Sequence, residues 1–487
     1  MVDTPRNPSP NRVGKHHRVR FALILVLAPA TAAVATLALT GKSSSNAATI
    51  ATSRPTTTTT LGSTTTDTTP STTTTLAVAP VANVQTVVSD TGSPLAASLA
   101  AFVDTLPTSA CLVVDVGDTR VVSVRATKSL APASTEKVLT GTAALNVFGP
   151  TYKFVTNVVA AAPAQGGKIT GDLYLVGSGD PVLSTVGYQK AAKHQPALAT
   201  SIETLADNIV AAGIKNVTGT LIGDESKFAN DRSGATWGFQ YDVTTGTGPL
   251  SALVLNDSFT EDGSAVESPP AYAAKTLQKL LEKRGVSFGG NAISGIAPKD
   301  THVVASIESP PLLDIVSEML RNSDNLTAEM LAKSIDAASF GPASIESGAA
   351  SVVKTLAAQG FDTSGVKLID SSGLDRANRA TCNALTSTMH AIGRRGEIGT
   401  HGLAVAGESG TLSKRYVKTA AAGRLRAKTG SIPNVAGLVG FVDPPTNSKD
   451  PIITFSLLLN GVDDGQKYVI EDALVKILTE FNLAPTK

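Results

Sequence analysis

Apolar runs with the spacing of strands or helices lie near both ends of the chain. Residues 111–116 and 121–124 are short β-prone runs separated by four residues that include glycine, a pattern that predicts a hairpin. Residues 435–442 and 452–459 predict two further strands of one sheet. Over 469–481, apolar residues repeat at spacings of three and four, which predicts an amphipathic helix.

A helix is also predicted directly after the first pair of strands. The predicted helix covers residues 134–148. Pro132, just before it, favours the start of a helix, and Gly149-Pro150, just after it, favour its end. Strands near both ends of the chain, each adjoining a helix, predict an α+β domain assembled from the two ends. We expect folded structure to begin near residue 93.

The middle of the chain, 152–303, has a different pattern. It is richer in glycine turns and in short β-like runs, such as 173–176 and 217–222. A helical pattern at 271–284 lies near its end, and Gly285 would stop that helix. These features predict a β-rich domain that is inserted into the α+β domain.

The first 85 residues carry no pattern of a globular fold. Residues 1–20 are basic and predict a cytoplasmic tail, and the uncharged run that follows predicts an export signal or a single membrane anchor at 21–42. A buried helix would explain neither the terminal position nor the flanking charges. Residues 43–85 are rich in Ser, Thr and Pro, so we expect a disordered extracytoplasmic stalk.

Composition narrows the class of protein. The chain has 487 residues, of which 42% are hydrophobic, enough to fill more than one core. The net charge is +1, and because basic residues are concentrated in the N-terminal tail, the mildly acidic body argues against a nucleic-acid partner. Cys111 and Cys382 form no C-x-x-C motif, which argues against a structural zinc or iron–sulfur site; in an oxidising compartment they could pair or remain free.

The first candidate catalytic motif is Ser134-Thr135-Glu136-Lys137, at the start of the predicted helix. A spacing of three residues places Ser134 and Lys137 on one helix face, where the lysine amine can take the proton of the serine hydroxyl. Since such a base must be neutral, we expect partial burial and the positive charge of Lys428 to lower the pKa of Lys137. Residues 364–367 also have serine and lysine at this spacing, but their sequence favours a loop.

Two further motifs lie in the second half of the chain. In Ser323-Asp324-Asn325, the serine hydroxyl can relay a proton to a leaving amine, and the asparagine amide can hold a substrate backbone. In Lys428-Thr429-Gly430, the lysine and the threonine can bind a carboxylate, and the glycine would let a substrate lie against the strand edge.

Other catalytic schemes have less support. None of the six histidines stands in a motif typical of a Ser-His-Asp triad, and no G-x-S-x-G motif occurs. An H-E-x-x-H motif is also missing from the sequence. We therefore predict neither a metal nor another cofactor.

The three motifs, in this order, resemble those of the class C low-molecular-mass penicillin-binding proteins, which are D-alanyl-D-alanine carboxypeptidases and endopeptidases. The resemblance covers most of the chain beyond the stalk. It includes Pro132-Ala133, Gly177-Ser178-Gly179-Asp180-Pro181, Gly223-Asp224 with Ser226 and Phe228, Asp370-Ser371-Ser372-Gly373-Leu374, Val405-Ala406-Gly407, Gly410-Thr411-Leu412, Arg426-Ala427 and Ser431. It implies a β-lactamase/transpeptidase-like catalytic domain, an antiparallel sheet flanked by helices, with a β-rich inserted domain between the first and second motifs.

The resemblance also implies a role for each motif residue. Ser134 would be the nucleophile that forms an acyl-enzyme, Lys137 its general base and Ser323 the proton relay. The implied substrate-binding residues are Asn325, Lys428, Thr429, Gly430 and Ser431. The backbone N–H groups of Ser134 and Ser431 would form the oxyanion hole.

Two other features of the motifs are expected to be structural. Asp324 has the weaker claim to a role in the chemistry, and a buried structural carboxylate explains it at least as well. Residues 370–374 would shape a loop beside the cleft rather than take part in the chemistry.

The positions of the motifs imply the boundaries of the domains. Residues 86–151 and 304–487 would form the two parts of the catalytic domain, and 152–303 the inserted domain. Family members usually nest a further domain inside that insertion. Here only residues 259–270 are available at the corresponding position, so we expect the nested domain to be absent or reduced.

The expected function is that of a serine-type D-alanyl-D-alanine carboxypeptidase, with endopeptidase activity left open. Peptidoglycan stem peptides would be the substrates, β-lactam antibiotics would acylate the enzyme, and the N-terminal segment would direct export or attach the protein to the outer side of the cytoplasmic membrane. One alternative is a serine β-lactamase, although the class A glutamate motif should follow S-D-N, whereas the similar spacing at 318–322 precedes it. The other is a non-catalytic peptidoglycan-binding module, against which the intact Ser134 and Lys137 argue.

Overall fold

The computed structural model describes residues 87–88, 94–192, 197–237, 247–394 and 402–481. The predicted tail, the signal or anchor, and the stalk lie outside the described residues. Within the described ranges, no helix is both long enough and apolar enough to cross a membrane.

The elements alternate between strands and helices along the chain. The strands are β1 (Val87–Val88), β2 (Ala110–Val116), β3 (Thr119–Val124), β4 (Val155–Ala160), β5 (Lys168–Ile169), β6 (Leu173–Val176), β7 (Leu183–Ser184), β8 (Thr200–Ser201), β9 (Asn216–Val217), β10 (Leu221–Asp224), β11 (Ser287–Phe288), β12 (Ile293–Ser294), β13 (His302–Glu308), β14 (Ala404–Val405), β15 (Leu425–Ile432), β16 (Val435–Val442) and β17 (Ile453–Asn460). The α-helices are α1 (Pro94–Thr105), α2 (Lys137–Phe148), α3 (Val186–Ala191), α4 (Ile202–Ala211), α5 (Pro269–Glu282), α6 (Leu312–Asn322), α7 (Asn325–Phe340), α8 (Ile345–Ala358), α9 (Cys382–Arg394) and α10 (Asp464–Glu480). Short 3-10 helices occupy Ala133–Glu136, Asn256–Ser258 and Gly410–Leu412.

In the described part of the chain, the central sheet has seven strands in the order β1-β3-β2-β17-β16-β15-β14, and neighbouring strands are antiparallel. Because alternate residues of a strand point to opposite faces, the sheet separates two apolar cores. Helices α1 and α10 pack on one face, and α2 and α6 to α9 pack on the other. The predicted α+β class, with an antiparallel sheet flanked by helices and built from both ends of the chain, is confirmed.

Two predicted elements differ from the observed ones at their ends. The β2–β3 turn holds two residues rather than four, because β3 already starts at Thr119, opposite Val116. Helix α10 begins at Asp464, before the first apolar position of its periodic pattern. It starts there because the side chain of Asp463 accepts a hydrogen bond from the backbone N–H of Gln466 at 2.8 Å and caps the helix.

A second sheet is built from the middle of the chain, in the order β12-β10-β6-β4-β13. Strand β10 pairs in parallel with β6 and β12, whereas β4 pairs antiparallel with β6 and β13. Helices α4 and α5 share a separate apolar core with it. The predicted domain boundary at residue 303 falls inside β13, which pairs with β4 from His302 to Glu308. The division of the chain into domains stays a prediction.

The segment expected to replace a nested domain is short. Residues 259–268 form a loop with a β-bridge between Phe259 and Ala265. Helix α5 then starts at Pro269 rather than at residue 271, because proline is well suited to the first turn of a helix. This loop has no room for a further domain.

Cys111 and Cys382 form a disulfide, the pairing that the sequence left open. Both residues are fully buried. The bond joins β2 to the first residue of α9, across 271 positions of the chain. It therefore ties the first part of the central sheet to the helical layer that covers it.

Candidate active site

Ser134 lies in a tight turn before helix α2. Residues Ala133–Glu136 form a 3-10 helix and α2 begins at Lys137, so the helix predicted from residue 134 starts three residues later. Ala133 has φ 47°, a left-handed conformation that is unfavourable for alanine and must be held by its surroundings. The Nζ atom of Lys137 lies 3.0 Å from Oγ of Ser134. The two side chains therefore meet, as their spacing predicts.

Strand β15 approaches this turn closely because glycines face it. A Cβ atom at Gly430 would lie 2.8 Å from the carbonyl oxygen of Pro132 and 3.1 Å from the backbone nitrogen of Ser134. One at Gly437, on β16, would lie 2.8 Å from Cγ2 of Thr135. We expected Gly430 to leave room for a substrate. In the structure its lack of a side chain lets the strand pack against the turn that carries Ser134, and its role towards a substrate stays a prediction.

Lys137 is fully buried and its amine is held by three oxygen atoms. Besides Ser134, Nζ donates to Oδ1 of Asn325 at 2.7 Å and to the carbonyl oxygen of Ser372 at 2.5 Å. These contacts come from a helix and a loop that are distant from Lys137 in sequence. They fix the amine beside the serine hydroxyl.

Burial lowers the pKa of Lys137 from 10.5 to about 8. The carboxyl groups of Asp370 and Glu329 oppose this shift, since they stabilise the charged amine. We also expected the positive charge of Lys428 to lower this pKa, but the charged groups with the largest effects are acidic. Burial is the cause of the lowered pKa, and it is complete rather than partial.

The second motif spans the junction of two helices. Ser323 ends α6 with φ 65°, and Asn325 is the first residue of α7. Between them, a carboxylate oxygen of Asp324 accepts a hydrogen bond from the backbone N–H of Thr327 at 2.7 Å and caps α7. This contact fits the structural role expected of Asp324. It also directs the Asn325 side chain towards Lys137.

The third motif lies on β15, where Lys428 is fully buried. Its Nζ donates to Oγ of Ser323 at 2.9 Å and to the carbonyl oxygen of Thr429 at 2.6 Å. Burial, with the positive charge of Lys137 adding to it, holds the pKa of Lys428 well below its usual range. The two lysines thus share one pocket, each beside a serine hydroxyl.

The outer residues of β15 are more accessible. Thr429 is half-buried and donates from Oγ1 to Oγ1 of Thr411 at 2.9 Å. Ser431 is exposed, and its Oγ accepts a hydrogen bond from Nζ of Lys467 at 2.7 Å. Neither Thr411 nor Lys467 has a role predicted from the sequence. Thr411 lies in Gly410-Thr411-Leu412, one of the segments that resemble the penicillin-binding proteins. Lys467 lies in none of the motifs.

The loop of residues 370–374 comes closer to the reaction centre than we expected. It supplies the Ser372 carbonyl that holds Lys137, so it contributes to the site as well as shaping the cleft. A Cβ atom at Gly373, which has φ 86°, would overlap the carbonyl oxygen of Ala133. The loop therefore packs directly against the turn of Ser134.

Asp370 anchors this loop through four hydrogen bonds. It accepts them from Nε1 of Trp237 at 2.8 Å, from Nδ2 of Asn378 at 2.7 Å, and from the backbone N–H groups of Gly373 at 2.9 Å and Asp375 at 2.6 Å. These bonds hold the loop that supplies the Ser372 carbonyl to Lys137.

Among the residues that the structure describes, the other candidates from the sequence form no comparable site. Residues 364–367 lie in a loop outside any helix, in which Gly365 has φ 75°. His390 pairs with Asp115, with Nε2 and Oδ2 2.8 Å apart. In the ranges that the structure describes, no group of three or more His, Cys, Asp or Glu side chains is arranged to hold a metal ion.

The chain is similar to known proteins in both sequence and structure. A family model described as D-Ala-D-Ala carboxypeptidase 3 (S13) matches residues 95–262 and 256–481. The chain is 32% identical over 360 residues to carboxypeptidase DacB of Mycolicibacterium smegmatis, covering 71% of this chain and 75% of that protein. It is 28% identical over 436 residues to the D-alanyl-D-alanine carboxypeptidase of an Actinomadura species, covering 73% and 78%.

A solved structure shares the fold. Penicillin-binding protein 4 of Haemophilus influenzae superposes with a TM-score of 0.65 at 22% identity, over 78% of this chain and 98% of that one. Its likeness confirms the architecture described above. Together with the family match, it leads to one conclusion: the chain belongs to the D-Ala-D-Ala carboxypeptidase 3 (S13) family and is a serine-type D-Ala-D-Ala carboxypeptidase.

Proposed function

We propose that Ser134 is the nucleophile, Lys137 its general base and Ser323 the proton relay. Ser134 Oγ bonds to the carbonyl carbon of the penultimate D-alanine while its proton passes to Nζ of Lys137. The carbon–nitrogen bond then breaks, and the leaving amine takes a proton through Oγ of Ser323. Water hydrolyses the resulting ester and regenerates the serine. The observation that carries this proposal is the 3.0 Å contact between Ser134 and the buried, low-pKa amine of Lys137.

The binding groups lie along β15. Lys428 and Thr429 would receive the terminal carboxylate, and Asn325 would hold the substrate amide. Because burial and Lys137 lower the pKa of Lys428, a bound carboxylate would favour the charged form of its amine, and the hydroxyls of Thr429 and Ser431 would add further contacts. The backbone N–H groups of Ser134 and Ser431 would stabilise the oxyanion.

The substrates would be peptidoglycan stem peptides, and β-lactams would acylate Ser134. A structure of penicillin-binding protein 4 of H. influenzae in complex with a β-lactam, at a TM-score of 0.58, supports the second point by analogy. Cleavage of cross-links between stem peptides is a further activity that the same acyl-enzyme chemistry would allow.

We also propose that the protein acts outside the cytoplasmic membrane. Residues 21–42 would direct its export or anchor it, residues 43–85 would form a stalk, and 86–151 with 304–487 would fold around the insertion 152–303. A chain lacking residues 1–85 should be soluble and should still react with penicillin. A folded truncation that failed to react would contradict this organisation.

The decisive experiment is covalent labelling with a fluorescent penicillin. Wild-type protein should be labelled and Ser134→Ala should not, while Ser364→Ala, in the loop with the same serine–lysine spacing, should behave as wild type. A non-catalytic wall-binding module would show no label, and a β-lactamase would release it rapidly. Mass spectrometry of the products from whole peptidoglycan would then separate terminal D-alanine release from cross-link cleavage.

A further inference from the structure

Glu329 is a buried acid that the proposed reaction does not use. It lies one turn after Asn325 on α7, so both side chains point to the same side of the helix. Asn325 touches Lys137 directly. Glu329 is fully buried, and its Oε1 accepts a hydrogen bond from the backbone N–H of Ser371 at 3.0 Å.

That hydrogen bond acts on the segment that holds the base. The backbone N–H of Ser371 is bound by Glu329, and its carbonyl oxygen accepts a hydrogen bond from Oγ1 of Thr140 at 2.8 Å. With Ser371 fixed at both its N–H and C=O groups, the next carbonyl, of Ser372, is aimed at Nζ of Lys137. Glu329 is thus connected to the base through one residue of backbone.

Glu329 lies among several buried ionisable groups of both signs. Its ionisable neighbours are Glu136 in the 3-10 turn, Lys137 on α2, Asp370 in the loop and Lys333 on its own helix. Burial, with the charge of Asp370 adding to it, raises the pKa of Glu329 to about 8, and burial raises that of Glu136 well above its usual range. Within the described residues, neither carboxyl oxygen of Glu136 nor Oε2 of Glu329 has a hydrogen-bond partner.

We propose that Glu329 is a positioning residue for acylation: it fixes Ser371, so that the Ser372 carbonyl and Asn325 hold the Lys137 amine against Ser134, and it stabilises the ammonium that forms when Lys137 takes the proton. The proposal rests on the proposed function, since it assumes that Lys137 is the base. It assigns two separable effects to one carboxyl group: a hydrogen bond that sets geometry and, in the ionised form that Glu329 takes near and above pH 8, a charge that favours protonated Lys137.

Two substitutions separate these effects. Glu329→Ala removes both, and we expect acylation by a β-lactam to slow by ~10²-fold, the usual result of misplacing a reacting group. Glu329→Gln retains an oxygen that can accept from Ser371, so its rate at high pH should stay close to that of wild type. Because glutamine cannot ionise, this variant lacks the charge that Glu329 carries near and above pH 8, and the pH midpoint of its acylation should move below that of wild type.

The matched control is Asp336→Asn on the same helix. Asp336 is a buried carboxylate that accepts from Oγ of Ser347 at 2.6 Å and from Oγ of Ser351 at 2.7 Å, away from Lys137. Its loss should lower Tm without moving the pH midpoint. A purely structural role for Glu329 would give that same result.

The outcomes are distinct. The proposal would be overturned if folded Glu329→Ala were acylated at the wild-type rate. It would also be overturned if Glu329→Gln were acylated as slowly as the alanine variant, with the pH midpoint of wild type. If Glu329→Ala does not fold, the midpoint of Glu329→Gln decides. Wild-type protein that fails to be acylated would instead refute the proposed function.

Discussion

At the scale of single residues, the proposed mechanism depends on a buried lysine, Lys137, whose amine can lose its proton and become neutral. Replacing Lys137 with alanine removes the base, so acylation should slow by about 10² to 10⁴. Lys367→Ala, in the loop with the same serine–lysine spacing, should have no effect. Stopped-flow acylation of both variants, with circular dichroism to verify folding, measures this. A Lys137→Ala variant with the wild-type rate would rule out the serine–lysine mechanism.

The lowered pKa of Lys137 predicts how acylation depends on pH. Only the neutral amine accepts a proton, and its fraction rises as the pH increases towards the pKa of about 8. Between pH 5 and pH 7 the rate should therefore increase about tenfold for each pH unit and level off above pH 8. Rate constants for a neutral β-lactam ester across this range test the point. A rate that is flat from pH 5 to pH 9 would show that Lys137 is not the base.

The loss of activity on replacing Lys428 should depend on whether the C-terminus of the substrate is charged. A hydrogen bond to a charged group contributes about 1.5 to 3 kcal/mol, so Lys428→Ala should reduce kcat/KM for a free-carboxylate peptide by roughly 10- to 150-fold. The same peptide with a C-terminal amide serves as the control and should lose far less. Equal losses on the two peptides would mean that Lys428 acts only through Ser323.

At the scale of elements, the close packing of β15 on the Ser134 turn is the most sensitive contact. In Gly430→Ala, the added Cβ would approach the Pro132 carbonyl at 2.8 Å and force the strand and the turn apart, at about 1 to 3 kcal/mol. We expect a lower Tm and slower acylation. Gly290→Ala is the control, because its Cβ would meet only Thr220, at 3.5 Å. Similar behaviour of the two variants would contradict this prediction.

The elements also show how far a sequence can be interpreted. Strands β2, β16 and β17 follow from apolar runs, and the three motifs identify the reactive side chains, because both signals are local. The contacts of Glu329 and of the Ser372 carbonyl could not be predicted, because neither a buried acid nor a backbone oxygen produces a recognisable local sequence pattern. Their roles depend on which helix and loop pack together. The early start of α10 has a simpler reason: its first turn is polar, so it carries none of the apolar spacing from which the helix is predicted.

For the whole molecule, the disulfide is the covalent link between distant parts of the fold. It closes a loop of 271 positions, which restricts the unfolded chain more than the folded one. Replacing both cysteines with alanine should lower the free energy of unfolding by about 2 to 5 kcal/mol. Urea denaturation of the oxidised, reduced and doubly substituted proteins measures this difference. An oxidised protein no more stable than the other two would contradict the prediction.

The pairing of β2 with β17 has a consequence for biosynthesis. Strand β2 leaves the ribosome early, but its partner is nearly the last part of the fold to be made, and β15 with Lys428 is also late. Until then the long apolar edge of β2 has only β3 beside it, and such an edge invites association with other chains. A nascent or prematurely terminated chain therefore has no complete reaction centre. An incomplete chain would combine an inactive centre with an exposed sheet edge, the kind of surface that makes partly folded chains prone to aggregation.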